Sequence, residues 1–160
     1  MKQKLGIIGI GNPLRRDDGI GLFLLQKIKE NASLFPDNVC FLDGGTGGMN
    51  VLHLFHRFDV VIVLDAVDFH GGPGDVRFFN VNDVTSNKQD HGLSTHHVDL
   101  LQIISFAKEI DECPDHVFVY GVQPGDVSFG EGFTSVIESK KDEFVQLLLD
   151  KILLMIKQYS

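Results

Sequence analysis

Cysteine is scarce in this chain: Cys40 and Cys113 stand far apart, and neither belongs to a CxxC pair. Two isolated thiols give no disulfide framework and no zinc knuckle. Cys40 lies in the apolar run Val39-Cys40-Phe41-Leu42, which reads as a buried, inert thiol rather than a nucleophile. Long apolar runs are missing too, none approaching the ~18 residues that a membrane span needs. Met1-Lys2-Gln3-Lys4-Leu5 leads into a short apolar segment rather than a signal-peptide core, and the expectation is a cytoplasmic protein without a membrane span. Cations are in deficit, 14 Lys and Arg against 22 Asp and Glu, for a net charge of −8 and a pI near 5.2. With no compensating basic patch, nucleic acid is not an expected partner. No GxSxG, HExxH or Cys–His pairing occurs, so serine, cysteine and zincin mechanisms have no support.

What is present is an ordinary globular composition, 43% hydrophobic and 22% charged over 160 residues, the size of a single domain. Residues 5–10 form a short apolar run that ends in glycine-rich sequence, which fits a buried parallel strand. Residues 19–31 read as a helix with Ile20, Leu24 and Ile28 on one stripe. Strands are expected at 39–42, 60–64 and 117–122, an edge strand at 76–81, and a polar loop at 82–92. Further helices are expected at 49–58, 98–110 and 134–157. The last has a capping box at Ser135-x-x-Glu138 and a break near 139–142, where the apolar stripe lapses. This alternation implies an α/β three-layer sandwich: a mostly parallel twisted sheet flanked by helices on both faces, as one domain over 1–160.

In such a sheet, ligands bind beyond the carboxyl ends of the strands. Three loops there carry titratable groups. The first is Gly9-Ile10-Gly11-Asn12-Pro13-Leu14-Arg15-Arg16-Asp17-Asp18-Gly19-Ile20-Gly21, the second Asp43-Gly44-Gly45-Thr46, the third Asp65-Ala66-Val67-Asp68. Ser94-Thr95-His96-His97 precedes an expected helix and adds imidazoles. The first loop mimics a dinucleotide fingerprint, but Leu14 holds the third glycine position, so the match fails. Asp17 or Asp18 could cap a helix N-terminus. Asp65 and Asp43 each end an apolar strand, where a carboxylate needs a partner or hydrogen bonds from loop amides. His53 and His56 form an i, i+3 pair that reads as an exposed helix face. Two carboxylates and one imidazole with open positions make a weak site for a divalent transition metal.

Together these motifs resemble a known family. Gly9-x-Gly11-Asn12-x-Leu14-x-x-Asp17-Asp18-x-x-Gly21 is similar to the N-terminal signature of the nickel–iron hydrogenase maturation proteases. The later motifs follow in the family's order: Asp43-Gly44-Gly45-Thr46-x-Gly48-Met49, Asp65-Ala66, Ser94-x-His96 and Gly121-Val122-Gln123-Pro124. The resemblance implies an endopeptidase that removes a C-terminal extension from the hydrogenase large-subunit precursor, its partner, after nickel insertion. It implies Asp18, Asp65 and His96 as metal ligands and catalytic residues, with nickel supplied by the precursor. Asp43 and its glycine loop would shape the cleft, and the protein would dock as a monomer. Asp18 is shorter than the glutamate of some members, and His97 adjoins His96. Other readings are a non-catalytic nickel-checkpoint module, which would use the same trio, a peptidyl-tRNA hydrolase-like enzyme, and a nucleotide-binding domain. Arg15-Arg16-Asp17-Asp18 stands where the hydrolase has a histidine, and the acidic balance disfavours tRNA.

Overall fold

The computed structural model describes residues 2–85 and 100–159. Among them, five strands make one sheet in the order β2-β1-β3-β5-β4: β1 (Leu5–Gly9), β2 (Val39–Asp43), β3 (Val60–Ala66), β4 (Val76–Asn80) and β5 (His116–Val122). β1, β2, β3 and β5 run parallel, and β4 is antiparallel along β5 at the edge. The apolar segments expected to be strands are strands, and the three-layer sandwich stands.

Alternation along each strand sends successive side chains to opposite faces. Leu5, Ile7, Ile62, Leu64 and Tyr120 pack on one face beneath α1 (Ile20–Lys29) and α5 (Ser135–Tyr159). Ile8, Ile10, Val61, Val63 and Val119 pack on the other, against α2 (Met49–Phe55) and α4 (Leu100–Glu109). Val81, which opens the short α3 (Val81–Thr85), joins this second cluster. The Tyr120 hydroxyl donates to the Phe144 carbonyl at 2.8 Å, pinning α5 to β5, and burial pushes its phenol well above the usual range. No described helix is long and apolar enough to cross a membrane.

Several local expectations are corrected. α5 runs unbroken through 139–142. Ile137 and Phe144 are buried seven residues apart, and the stems of Lys140 and Lys141 are half-buried between them, covering apolar surface while their ammonium ends stay wet. The capping box does not form: Ser135 is already helical, and Glu138 pairs with Lys141 instead. Cys40 is half-buried rather than buried, because β2 is an edge strand. α2 ends at Phe55 rather than 58, and part of the expected 82–92 loop is α3. His53 and His56 are exposed, as the helix-face reading expects.

The first crossover needs glycine at one position. A Cβ on Gly21 would stand 2.2 Å from the Ile10 carbonyl oxygen and 2.3 Å from that of Leu64. Only a bare backbone lets α1 lie this close over the ends of β1 and β3. Both contacts are to main chain, which cannot swing away. Gly21→Ala should therefore cost about 3 kcal/mol, as severe overpacking does, read as a lowered midpoint in urea unfolding.

Candidate functional site

The chain leaves β1 for its neighbour β2, then crosses back to β3 on β1's other side. The carboxyl ends of β1 and β3 therefore flank a topological switch point, where helices depart to opposite faces and a crevice opens. Gly9 lies beside Leu64 in register, and Ile10 N donates to the Leu64 carbonyl at 2.9 Å. The first loop and Asp65 consequently meet at this edge.

Asp65 is the penultimate residue of β3, paired in register with Gly121 and 1% exposed. It follows Val61 and Val63 in alternation, so it points to the α2/α4 face. Asp18 lies in a 3-10 turn, Arg16–Gly19, and is 0% exposed. Its Oδ2 accepts a hydrogen bond from Asn12 N at 3.0 Å. Its backbone is held from below: a Cβ on Gly11 would approach the Asp18 carbonyl oxygen to 2.2 Å. Asn12 in turn accepts from Leu14 N through Oδ1 at 3.0 Å, folding the loop back on itself. The glycine and asparagine of the first motif thus place Asp18.

Asp17 takes a different role. Its side chain caps neither the 3-10 turn nor α1. At 0% exposure it accepts from Gly125 N (2.8 Å), Asp126 N (3.1 Å) and Thr134 Oγ1 (2.8 Å) through Oδ2, and from Thr134 N (2.8 Å) through Oδ1. Thr134 directly precedes α5, so Asp17 sits at the positive end of a 25-residue helix on another part of the chain, where a carboxylate is stabilised by the unpaired amides. Main-chain bonds reinforce the junction, from Asp17 N to Asp126 O, Arg16 N to Gly130 O and Gly130 N to Leu14 O. Arg15 Nε also donates to Val127 O at 2.9 Å.

The β3–β4 connection is fixed by a residue whose role the sequence motif did not reveal. Gln123 is nearly buried. Its Oε1 accepts from Phe69 N and Gly71 N, and its Nε2 donates to Asp68 Oδ1 at 3.1 Å. A backbone donor from His70 and this amide hold the Asp68 carboxyl below the usual carboxylate range. A Gln-Pro pair ending a buried strand was the available signal; the partners lie more than fifty residues away. Asp43 is exposed, and its Oδ1 accepts from Gly45 N at 2.7 Å, closing its own turn. That turn touches the first loop through Gly11 N to Gly45 O and Gly44 N to Gly9 O.

Of the expected trio, Asp18 and Asp65 share this edge. His96, His97 and Ser94 lie outside the described residues. α4, which follows them in sequence, packs on the face that Asp65 points to. Among the described residues no three His, Cys, Asp or Glu side chains form a group able to hold a metal ion.

Comparison with known proteins adds independent information. The sequence profile of a family described as hydrogenase maturation protease matches residues 24–151. The first-loop motif precedes that stretch. The hydrogenase expression/formation protein HupD of Bradyrhizobium diazoefficiens is 32% identical over 125 residues, 78% of this chain and 65% of that protein. HupD of Rhodobacter capsulatus is 33% identical over 122 residues, 76% of this chain and 58% of that protein. The chain thus spans less than two thirds of the length of either relative. Among solved structures, the hydrogenase maturating endopeptidase HybD from Escherichia coli superimposes with a TM-score of 0.74 at 26% identity, covering 95% of this chain and 93% of that one.

The Asp17 junction is directly testable. Asp17→Ala leaves four donors without their acceptor and should lower unfolding free energy by about 3 kcal/mol. Asp17→Asn can turn its oxygen to the three donors that Oδ2 now serves, leaving its amide against Thr134 N, so its loss should be clearly smaller. Urea unfolding of both variants checks the order.

Proposed function

The chain belongs to the hydrogenase maturation protease family, and on that premise we propose that it is a cytoplasmic endopeptidase. It removes the C-terminal extension of a nickel-loaded nickel–iron hydrogenase large-subunit precursor. The observation that carries this reading is the burial of Asp65 at the carboxyl end of β3 and of Asp18 in the loop that follows the adjacent parallel strand β1. A carboxylate buried at such an edge needs a cation or donors, and this is where the fold opens its crevice.

The donor chemistry is consistent with a metal that arrives with the substrate. Two carboxylates and one imidazole suit a divalent transition ion and leave positions open. Asp18, Asp65 and His96 are the ligands in this reading, and nickel is part of the precursor rather than a resident cofactor. Nickel so held supplies Lewis acidity at the bond to be cut. The chain itself fixes Asp18 through Gly11 and Asn12, and braces the segment after Asp65 through Gln123. Docking of the precursor holds the scissile bond against this edge, which is where positioning lowers the barrier.

Incubation of the cognate precursor with the protein, followed by mass spectrometry, tests the proposal. Loss of a short C-terminal peptide only from nickel-loaded precursor is the expected result. An intact loaded precursor would leave a binding module in place of an enzyme. Asp18→Asn and Asp65→Asn should each slow cleavage at least about 100-fold, the upper end of what outer-shell partners alone cost a metal site. Wild-type rates in either variant would remove that residue from the assignment.

A further inference from the structure

A groove of about 480 Å³ lies between the N-terminal turns of α1 and α5, within the size range of ligand pockets. Pro13, Leu22, Phe23 and Phe133 give it apolar walls, and Arg16, Lys141 and Glu138 give it charge. Phe23 and Phe133 meet edge to face, with centroids 5.5 Å apart. The Lys141 ammonium lies 5.9 Å from the Phe23 ring centre and pairs with Glu138.

Arg16 is the unusual member. Its φ is +47°, a left-handed conformation that costs a non-glycine residue about 1 kcal/mol or more. Glycine would be unstrained there. Its Nε is buried and makes no hydrogen bond among the described residues, and its ion pair with Asp126 spans 3.8 Å, beyond hydrogen-bond length. The strained backbone turns Asp17 inward to its four donors while the Arg16 side chain lines the groove. The rest of the guanidinium, on a side chain 39% exposed, lies beside apolar walls and suits a carboxylate next to an apolar side chain.

The groove and Asp18 are two sides of one short turn. Arg16 and Gly19 line the groove and bracket Asp18, so the Arg16 and Asp18 Cα atoms are at most about 7.6 Å apart. An extended peptide rises ~3.3 Å per residue. A chain with its scissile bond at Asp18 reaches the groove after roughly two to four residues. Two segments flank that bond. The nickel-bearing side belongs to the folded large subunit, too bulky for 480 Å³; the extension is a chain end that can thread in. Leu14 (61% exposed) and Phe129 (82% exposed) carry apolar surface onward from the groove over the same loops. The Arg16–Gly130 and Gly130–Leu14 bonds fix the backbone at Leu14 and at Gly130, the residue after Phe129.

Resting on the endopeptidase reading, we propose that this groove is the specificity site for the extension. It seats an apolar residue of the tail between Phe23 and Phe133, and a neighbouring carboxylate, side-chain or terminal, on Arg16 with Lys141 alongside. The site selects which precursor tail is presented; the carboxylates at the switch point act on whatever is presented.

Two measurements on the full chain test it. In steady-state cleavage of the nickel-loaded cognate precursor, Arg16→Glu should raise KM at least tenfold with kcat within twofold, and Arg16→Lys should recover part of the loss. Separately, a fluorescein-labelled synthetic peptide of the extension should bind the wild type in anisotropy titrations and bind Arg16→Glu at least tenfold more weakly. Lys141→Glu, at a half-buried position of α5 along the groove, carries both measurements if thermal melting shows Arg16→Glu to be unfolded. Folded variants with unchanged KM and unchanged peptide affinity would overturn the groove. Peptide binding that Arg16→Glu abolishes, in a wild type that cuts nothing, would keep the groove and sink the endopeptidase reading.

Discussion

The carboxylate of Asp17 locks the first loop to the start of α5, where main-chain bonds already bring that loop against residues 126–130. Its two oxygens take four hydrogen bonds from Gly125, Asp126 and Thr134, so the first loop, the β5–α5 loop and the start of the longest helix become one unit. A fully buried carboxylate is tolerable only because every acceptor direction that matters is filled and the helix end adds favourable potential. Asp18 follows it directly, so the turn that carries Asp18 is anchored by its neighbour.

Glycines set the other half of that geometry. Gly21 lets α1 approach the ends of β1 and β3, and Gly11 lets the loop pass under the Asp18 carbonyl. The fingerprint that fails at Leu14 therefore finds its close-packing glycine seven residues later, at Gly21. The longer intervening loop is used to form the turn that carries Asp17 and Asp18, where a dinucleotide-binding loop would begin its helix at once. Similar motif, different spacing and different chemistry follow from where the helix is allowed to start.

The strand–helix alternation, the strand ends carrying Asp43 and Asp65 and the acidic balance were legible in the residues, because strand and helix periodicities and short apolar runs are local properties. The family was legible because its motifs are contiguous stretches in order. The α5 break was misread at 139–142 because periodicity counts apolar residues, whereas the half-buried lysine stems there do an apolar residue's packing. The Ser135–Glu138 capping box was misread because the N-terminus of α5 is satisfied from Asp17, 117 residues before Thr134. Gln123 stood in a recognised motif, but nothing local shows that its amide serves Asp68, Phe69 and Gly71.

By itself the sequence determined the layered α/β plan, the family, and which residues stand after strands. Those follow from interactions between near neighbours and from the side-chain period of each element. Only the tertiary structure decided that Asp17 braces α5 while Asp18 bonds within its own loop, that Asp43 closes its own turn, and that Arg16 lines a groove between two helices. Adjacent aspartates are equivalent to any local rule. They are separated by strand order, by a left-handed residue before them, and by donors that arrive from more than a hundred residues away.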